Sequence, residues 1–148
     1  MSVCRKRCAR SGSISKRIMS DVRGIVIGHG AMAAGMVDAV RQITGVAEDV
    51  LIPLSNKGLS PDALIAALRE KLVDGADTIL FTDMQGGSCA VAARRLTHDL
   101  PRTAVICGAN LPVMLEFAMH RTESIDVLVE RLLERGRSSI TAPAHRKT

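Results

Sequence analysis

Tryptophan and tyrosine are absent from this sequence, and Phe81 and Phe117 are its only phenylalanines. A core must therefore be assembled from Ile, Leu, Val, Met and Ala, which the 47% hydrophobic content supplies. The cysteines, Cys4, Cys8, Cys89 and Cys107, show neither a disulfide framework nor the paired spacing of a zinc site. That implies a reducing, cytoplasmic setting, with Cys89 and Cys107 as small buried fillers. No apolar run is long enough to cross a bilayer, and none follows the basic start in the manner of a signal peptide. Basic charge is missing where a nucleic-acid surface would need it. The net +5 rests on Arg5, Lys6, Arg7, Arg10, Lys16 and Arg17, all before the first acid, and without them the remainder stands at −1. A near-neutral body excludes a basic binding face, so no nucleic-acid partner is expected.

What the sequence does contain is an alternation of short apolar runs and helical patterns. Residues 1–20 read as a basic tail with Ser and Gly, expected to be disordered; alternatively Met19, just before the first strand, is the true start. Residues 21–143 fit one domain by length, and 144–148 are expected to fray. The first strand is Gly24 to Gly28, and a helix follows from about Ala31 to Thr44 with Met32, Met36, Val40 and Ile43 on one face. Gly45 closes it. Val50 to Leu54 is the second strand, placed at an edge by Pro53, which cannot donate to a ladder. Ser60 and Pro61 start a helix with Leu64, Leu68 and Leu72 as its buried stripe. Thr78 to Thr82 is a continuous apolar strand of the kind covered on both faces. A helix from Ser88, read as its N-cap, runs to about His98. Thr103 to Cys107 is the fourth strand, followed by a helix with Pro112 in its first turn. A last helix spans about Glu123 to Arg135 and ends at Gly136, after which Ser138 to Ala142 add a short strand. The pattern predicts a three-layer α/β fold, helices on both faces of a mainly parallel sheet in the order 2-1-3-4.

In that order the first and third strands are neighbours where the winding reverses, and His29 and Asp83 follow their ends. Asp83 can accept a hydrogen bond from one ring nitrogen of His29. Such a bond fixes the tautomer, leaves the other nitrogen as a nucleophile and stabilises a cationic ring. Gly86, Gly87 and Ser88 offer backbone N–H groups and a hydroxyl at a helix start, a natural anion site. Nucleophilic imidazole beside a phosphate cradle points to a phosphohistidine intermediate. His98 and His120 lie in or beside helices and read as solvated surface residues.

Three stretches carry a resemblance: Ile25-Val-Ile-Gly-His-Gly-Ala-Met-Ala-Ala-Gly-Met36, Phe81-Thr-Asp-Met-Gln-Gly-Gly-Ser88 and Gly108-Ala-Asn-Leu-Pro-Val-Met-Leu115. Together, over Val22 to about Ala142, the chain resembles the enzyme IIA domain of the mannose family of the bacterial phosphoenolpyruvate:sugar phosphotransferase system. The Gly-His-Gly form and the Gly-Met after it look most like the N-acetylgalactosamine branch. The resemblance implies that His29 takes a phosphoryl group from HPr and passes it to an enzyme IIB, with sugar uptake through a membrane permease as the indirect result. Asp83 would orient and charge-compensate His29, and Gly86, Gly87 and Ser88 would contact the phosphate. It further implies a homodimer in which Ser138 to Ala142 cross to the partner's sheet. No metal or organic cofactor is implied, since the donor is already a phosphohistidine. Within the family, the alternative is a phosphorylatable regulator that signals instead of transporting. The sequence departs from the pattern at Cys89, where proline is usual, and at Val91, where asparagine is frequent; both bear on the turn, not on the His–Asp pair.

Two other readings fail on named positions. Gly28-His-Gly-Ala-Met-Ala33 formally fits a dinucleotide fingerprint, but the second strand ends in Leu54-Ser55-Asn56 with no acid to hold a ribose. A receiver domain phosphorylated on Asp83 would need acids after the first strand to hold Mg²⁺, and His29 stands there.

Overall fold

The computed structural model describes residues 21–144. The expected basic tail, the question of Met19, and the last four residues of the expected frayed end lie outside the described residues. In chain order the elements are β1 (Arg23–Gly28), α1 (Met32–Thr44), β2 (Leu51–Ser55), α2 (Pro61–Lys71), β3 (Thr78–Thr82), α3 (Ser88–Thr97), β4 (Thr103–Cys107), α4 (Leu111–His120) and α5 (Ile125–Ser138). The strands form one parallel sheet in the order β2-β1-β3-β4, as the sequence predicts. Among the described residues no helix is long and apolar enough to cross a membrane.

Side chains alternate across a strand, so β1 and β3 feed two cores. Val26 and Phe81 point to the face covered by α1, α4 and α5, among Val37, Met114, Phe117 and Leu128. Ile25, Ile27 and Leu80 point to the other face, against Leu64 and Leu68 of α2 and Ala92 and Leu96 of α3. Covered on both sides, β3 is buried at all five positions, which is why it reads as an unbroken apolar run. Phe81 and Phe117 meet edge to face with ring centroids 5.2 Å apart. Pro53 sits in β2 at the sheet's edge, as its missing N–H requires. Ser60 caps α2 through Oγ, which accepts from Ala63 N at 3.2 Å, while Leu72 lies just beyond the helix, half-buried.

Three details depart from the sequence reading. The buried stripe of α1 is Ala33, Val37 and Val40, with Met32 and Met36 half-buried and Ile43 61% exposed. Small and β-branched side chains let this helix lie close on the sheet, and the long methionines reach along its flank. Helix α5 does not stop at Gly136 but continues to Ser138. Gly136 faces α4 at close range, where an added Cβ would lie 2.9 Å from Val113 Cγ2, so it serves packing instead of termination. Within the single chain no strand forms over 139–144, because the last turn of α5 occupies the start of the segment expected to be a short strand.

Candidate active site

The sheet register decides which side chains can meet. Ile27 of β1 is level with Thr82 of β3, and Gly28 is level with Ser55 of β2. The first residues beyond β2, β1 and β3 are therefore Asn56, His29 and Asp83, all at the carboxyl end of the sheet where an α/β fold opens its crevice. Gly30 turns the chain sharply after His29 with φ of 56°, a conformation that favours glycine.

One carboxylate oxygen organises the site. Oδ2 of Asp83 accepts from the His29 backbone N–H at 3.0 Å and is 2.5 Å from the ring Nδ1. Oδ1 accepts from the Met84 N–H at 2.9 Å. The Asp83 side chain keeps only 13% of its surface in solvent, whereas His29 keeps 51%. Burial pushes the Asp83 carboxyl up, but the hydrogen bonds from the His29 ring and backbone, the charge of that ring and the Met84 N–H together outweigh it. The carboxyl is held below its ordinary range.

The glycine-rich turn leads into the ring. Gly87 lies against the imidazole: a Cβ there would sit 3.3 Å from His29 Cε1 and 3.2 Å from Met84 Cγ. Gly86 faces open space. Ser88 is the first helical residue of α3 and not its cap; extended Gly87 takes that place without a side-chain hydrogen bond. The leading N–H groups of α3 thus have no side-chain cap, and the helix dipole favours an anion there. Ser88 Oγ is free of capping and accepts from Asn56 Nδ2 at 3.3 Å.

Of the residues singled out from sequence, His29, Asp83, Gly87 and Ser88 converge, and Gly86 lies on the open side of the same turn. Asn56 joins them without being among the site residues expected from sequence; its place directly after a parallel strand is the signal that points to it. Cys89 is fully buried, as expected, and Cys107 is half-buried. Burial, with the Asp83 charge behind it, pushes the Cys89 thiol up, only partly offset by hydrogen bonds including one from Ser88. Ligand atoms of His29, Asp83 and Cys89 lie within 4.8 Å of one another. They do not make a good metal set, because Asp83 Oδ2 already holds both His29 N–H groups and the buried thiol resists ionisation. Outside the site, His98 is exposed and pairs with Asp99. His120 is half-buried instead of solvated, with Nδ1 3.0 Å from the Glu116 backbone oxygen and 3.3 Å from Glu116 Oε1.

Residues 24–133 match the family model EIIA-man, described as the PTS system fructose IIA component. The chain is similar to the mannose-specific EIIAB component of Escherichia coli K12, with 33% identity over 128 residues; the match takes in 80% of this chain and 38% of that protein, so this chain spans well under half of that relative. It is also similar to the sorbose-specific EIIA component of Klebsiella pneumoniae, 33% identical over 118 residues, 75% of this chain and 84% of that protein. The mannose/sorbose specific IIA subunit from Enterococcus faecalis has the same fold, with a TM-score of 0.77 at 22% identity over 87% of this chain and 99% of that one. So does phosphotransferase component EIIA from Streptococcus agalactiae, with a TM-score of 0.76 at 23% identity over 82% and 96%.

Proposed function

Because the chain belongs to the mannose family of phosphotransferase-system IIA components, we propose that it is a cytoplasmic phosphoryl carrier. It takes phosphate from phospho-HPr onto His29 and passes it to an enzyme IIB, which serves sugar uptake and phosphorylation at a membrane permease it does not itself touch. The observation that carries this reading is the bond between His29 Nδ1 and Asp83 Oδ2. An ionised carboxylate only accepts, so in the neutral form of the ring the proton sits on Nδ1 and Nε2 keeps its lone pair. Nε2 attacks phosphorus as the donor's N–P bond breaks, and the donor imidazole leaves with that electron pair. The His29 ring becomes cationic, and Asp83 compensates the charge. The α3 N-terminus, Gly86, Gly87 and the Ser88 hydroxyl hold the phosphoryl oxygens. Delivery to the IIB runs the same displacement outward, and neither metal nor organic cofactor takes part.

The working unit we propose is a homodimer that exchanges the segment 138–142. In support, β4 leaves one edge of the sheet unpaired. A groove of about 290 Å³ runs beside that edge between Cys107, Val113, Leu132 and Gly136. Ile140 stands 82% exposed at its mouth.

The test is incubation with phosphoenolpyruvate, enzyme I and HPr, followed by intact-mass and site-localising mass spectrometry under alkaline conditions that preserve phosphohistidine. One phosphate on His29 is expected. A folded chain that stays unlabelled beside working donors removes the carrier role.

A further inference from the structure

We infer that Asn56 is a positioning residue of the phosphoryl site, aiming the Ser88 hydroxyl proton at the phosphoryl group; this rests on the phosphohistidine reading of His29. Asn56 is held between two strand ends. Its backbone N–H donates to the Gly28 carbonyl at 3.1 Å, and its own carbonyl accepts from Leu59 N at 3.1 Å, so the loop after β2 is tied to the end of β1 directly beside His29. From that anchor Nδ2 reaches Ser88 Oγ at 3.3 Å. An amide NH₂ only donates, so in this contact the serine oxygen is the acceptor and its own proton must point elsewhere.

Two acceptors compete for that proton. The Cys89 thiol lies beside Ser88, but it is neutral and sulfur is a weak acceptor. A phosphoryl oxygen on His29 is anionic, and a charge-assisted hydrogen bond to it is the stronger one. Asn56 thus converts a hydroxyl that can donate or accept into a committed donor before the phosphoryl group arrives. Preset donors need no reorganisation during transfer.

The experiment is a double-mutant cycle on the full chain, with Asn56→Ala and Ser88→Ala singly and together. The rate of His29 phosphorylation is read by mass spectrometry with two donors, phospho-HPr and the small molecule phosphoramidate, whose P–N bond breaks as the Nε2–P bond forms. With Ser88 present, loss of one such hydrogen bond should slow labelling about fivefold. In the Ser88→Ala background the same change should slow it less than about twofold, the additivity error expected for uncoupled sites. Asn56→Asp preserves the size of the side chain but replaces the donor by an acceptor, and should be slower than Asn56→Ala when Ser88 is present. Equal losses in both backgrounds would mean that Asn56 merely braces the loop, and overturn the inference; so would an unchanged rate, or Asn56→Asp matching the native chain. Labelling by phosphoramidate but not by phospho-HPr would sink the carrier role while leaving the cycle readable. No labelling of native His29 by either donor overturns inference and reading alike.

Discussion

Two turns leave the carboxyl end of the sheet from neighbouring strands, and they treat the helix that follows in opposite ways. After β4, Asn110 caps α4 with Oδ1 accepting from Val113 N at 3.0 Å, and the N–H groups of Gly108 and Ala109 both donate to the Thr82 carbonyl at 2.9 Å. The Asn110 amide is tied down too, Nδ2 donating to Ser139 Oγ at 3.3 Å. After β3, the turn from Asp83 to Gly87 gives its carboxylate to His29 and leaves α3 without a side-chain cap. The same architecture therefore builds one turn that is capped by its own asparagine and one that leaves its helix start open. An open helix start is common by itself; a half-exposed histidine held beside it by a largely buried carboxylate is what sets this one apart.

That contrast predicts which substitutions damage transfer and which damage folding. The largest effect belongs to His29→Ala, which should abolish phosphoryl acceptance without changing the thermal midpoint materially, since half of the ring is in solvent; label retained on another residue would relocate the site. Asp83→Asn should slow transfer by about 10² to 10⁴, the range seen when an orienting or proton-transferring carboxyl is lost, and an unchanged rate in rapid-quench labelling would remove Asp83 from the mechanism. Gly87→Ala comes next. Its extended backbone tolerates a side chain, but the new methyl presses on His29 Cε1, and a displacement of a few tenths of an ångström should cost about tenfold in transfer with little change in urea midpoint.

Asn110→Ala should invert that profile, losing about 1 kcal/mol of stability with its cap while transfer holds. Equal damage to transfer would mean the two turns are not separable. The smallest effect concerns acid. Asp83 titrates lower in the folded chain than its usual carboxylate value of about 3.9. Its contribution is therefore fully present above that value and fades as pH falls through the lower folded one. Urea titrations between these limits should show native stability converging on that of Asp83→Asn.

How much of this the sequence disclosed depends on which residues carried the signal. The bounds of β3 and β4 follow from apolar runs that end where polar turns begin, and the strand order with His29 opposite Asp83 follows from the rule for open parallel sheets. Helix α1 departs from its pattern because hydrophobicity ranks methionine and isoleucine above alanine, whereas close packing on a sheet selects the smaller Ala33. Ser88 has the residue type of an N-cap, yet the extended Gly87 before it takes that place and frees the hydroxyl. Gly136 has the composition of a helix stop, and only the proximity of Val113 explains why the helix runs on. Asn56 stands directly after a parallel strand, a position legible in the sequence, but its contact with Ser88 depends on how the strand ends line up and is visible only once the strands are aligned.

The edge-to-face pair of Phe81 and Phe117 also determines how the protein can be watched. With no tryptophan or tyrosine in the chain, these two phenylalanines are its only near-ultraviolet chromophores of that kind, and both are fully shielded from solvent. The molecule is accordingly almost dark in the near ultraviolet, and its weak phenylalanine dichroism reports on the interior beneath β3. Any indole emission in a mixture belongs to the other component. A single tryptophan installed at Met84, 52% exposed at the mouth of the site, would then be a lone lamp on an unlit surface, reporting on the proposed phosphorylation and docking with no background to subtract from this chain.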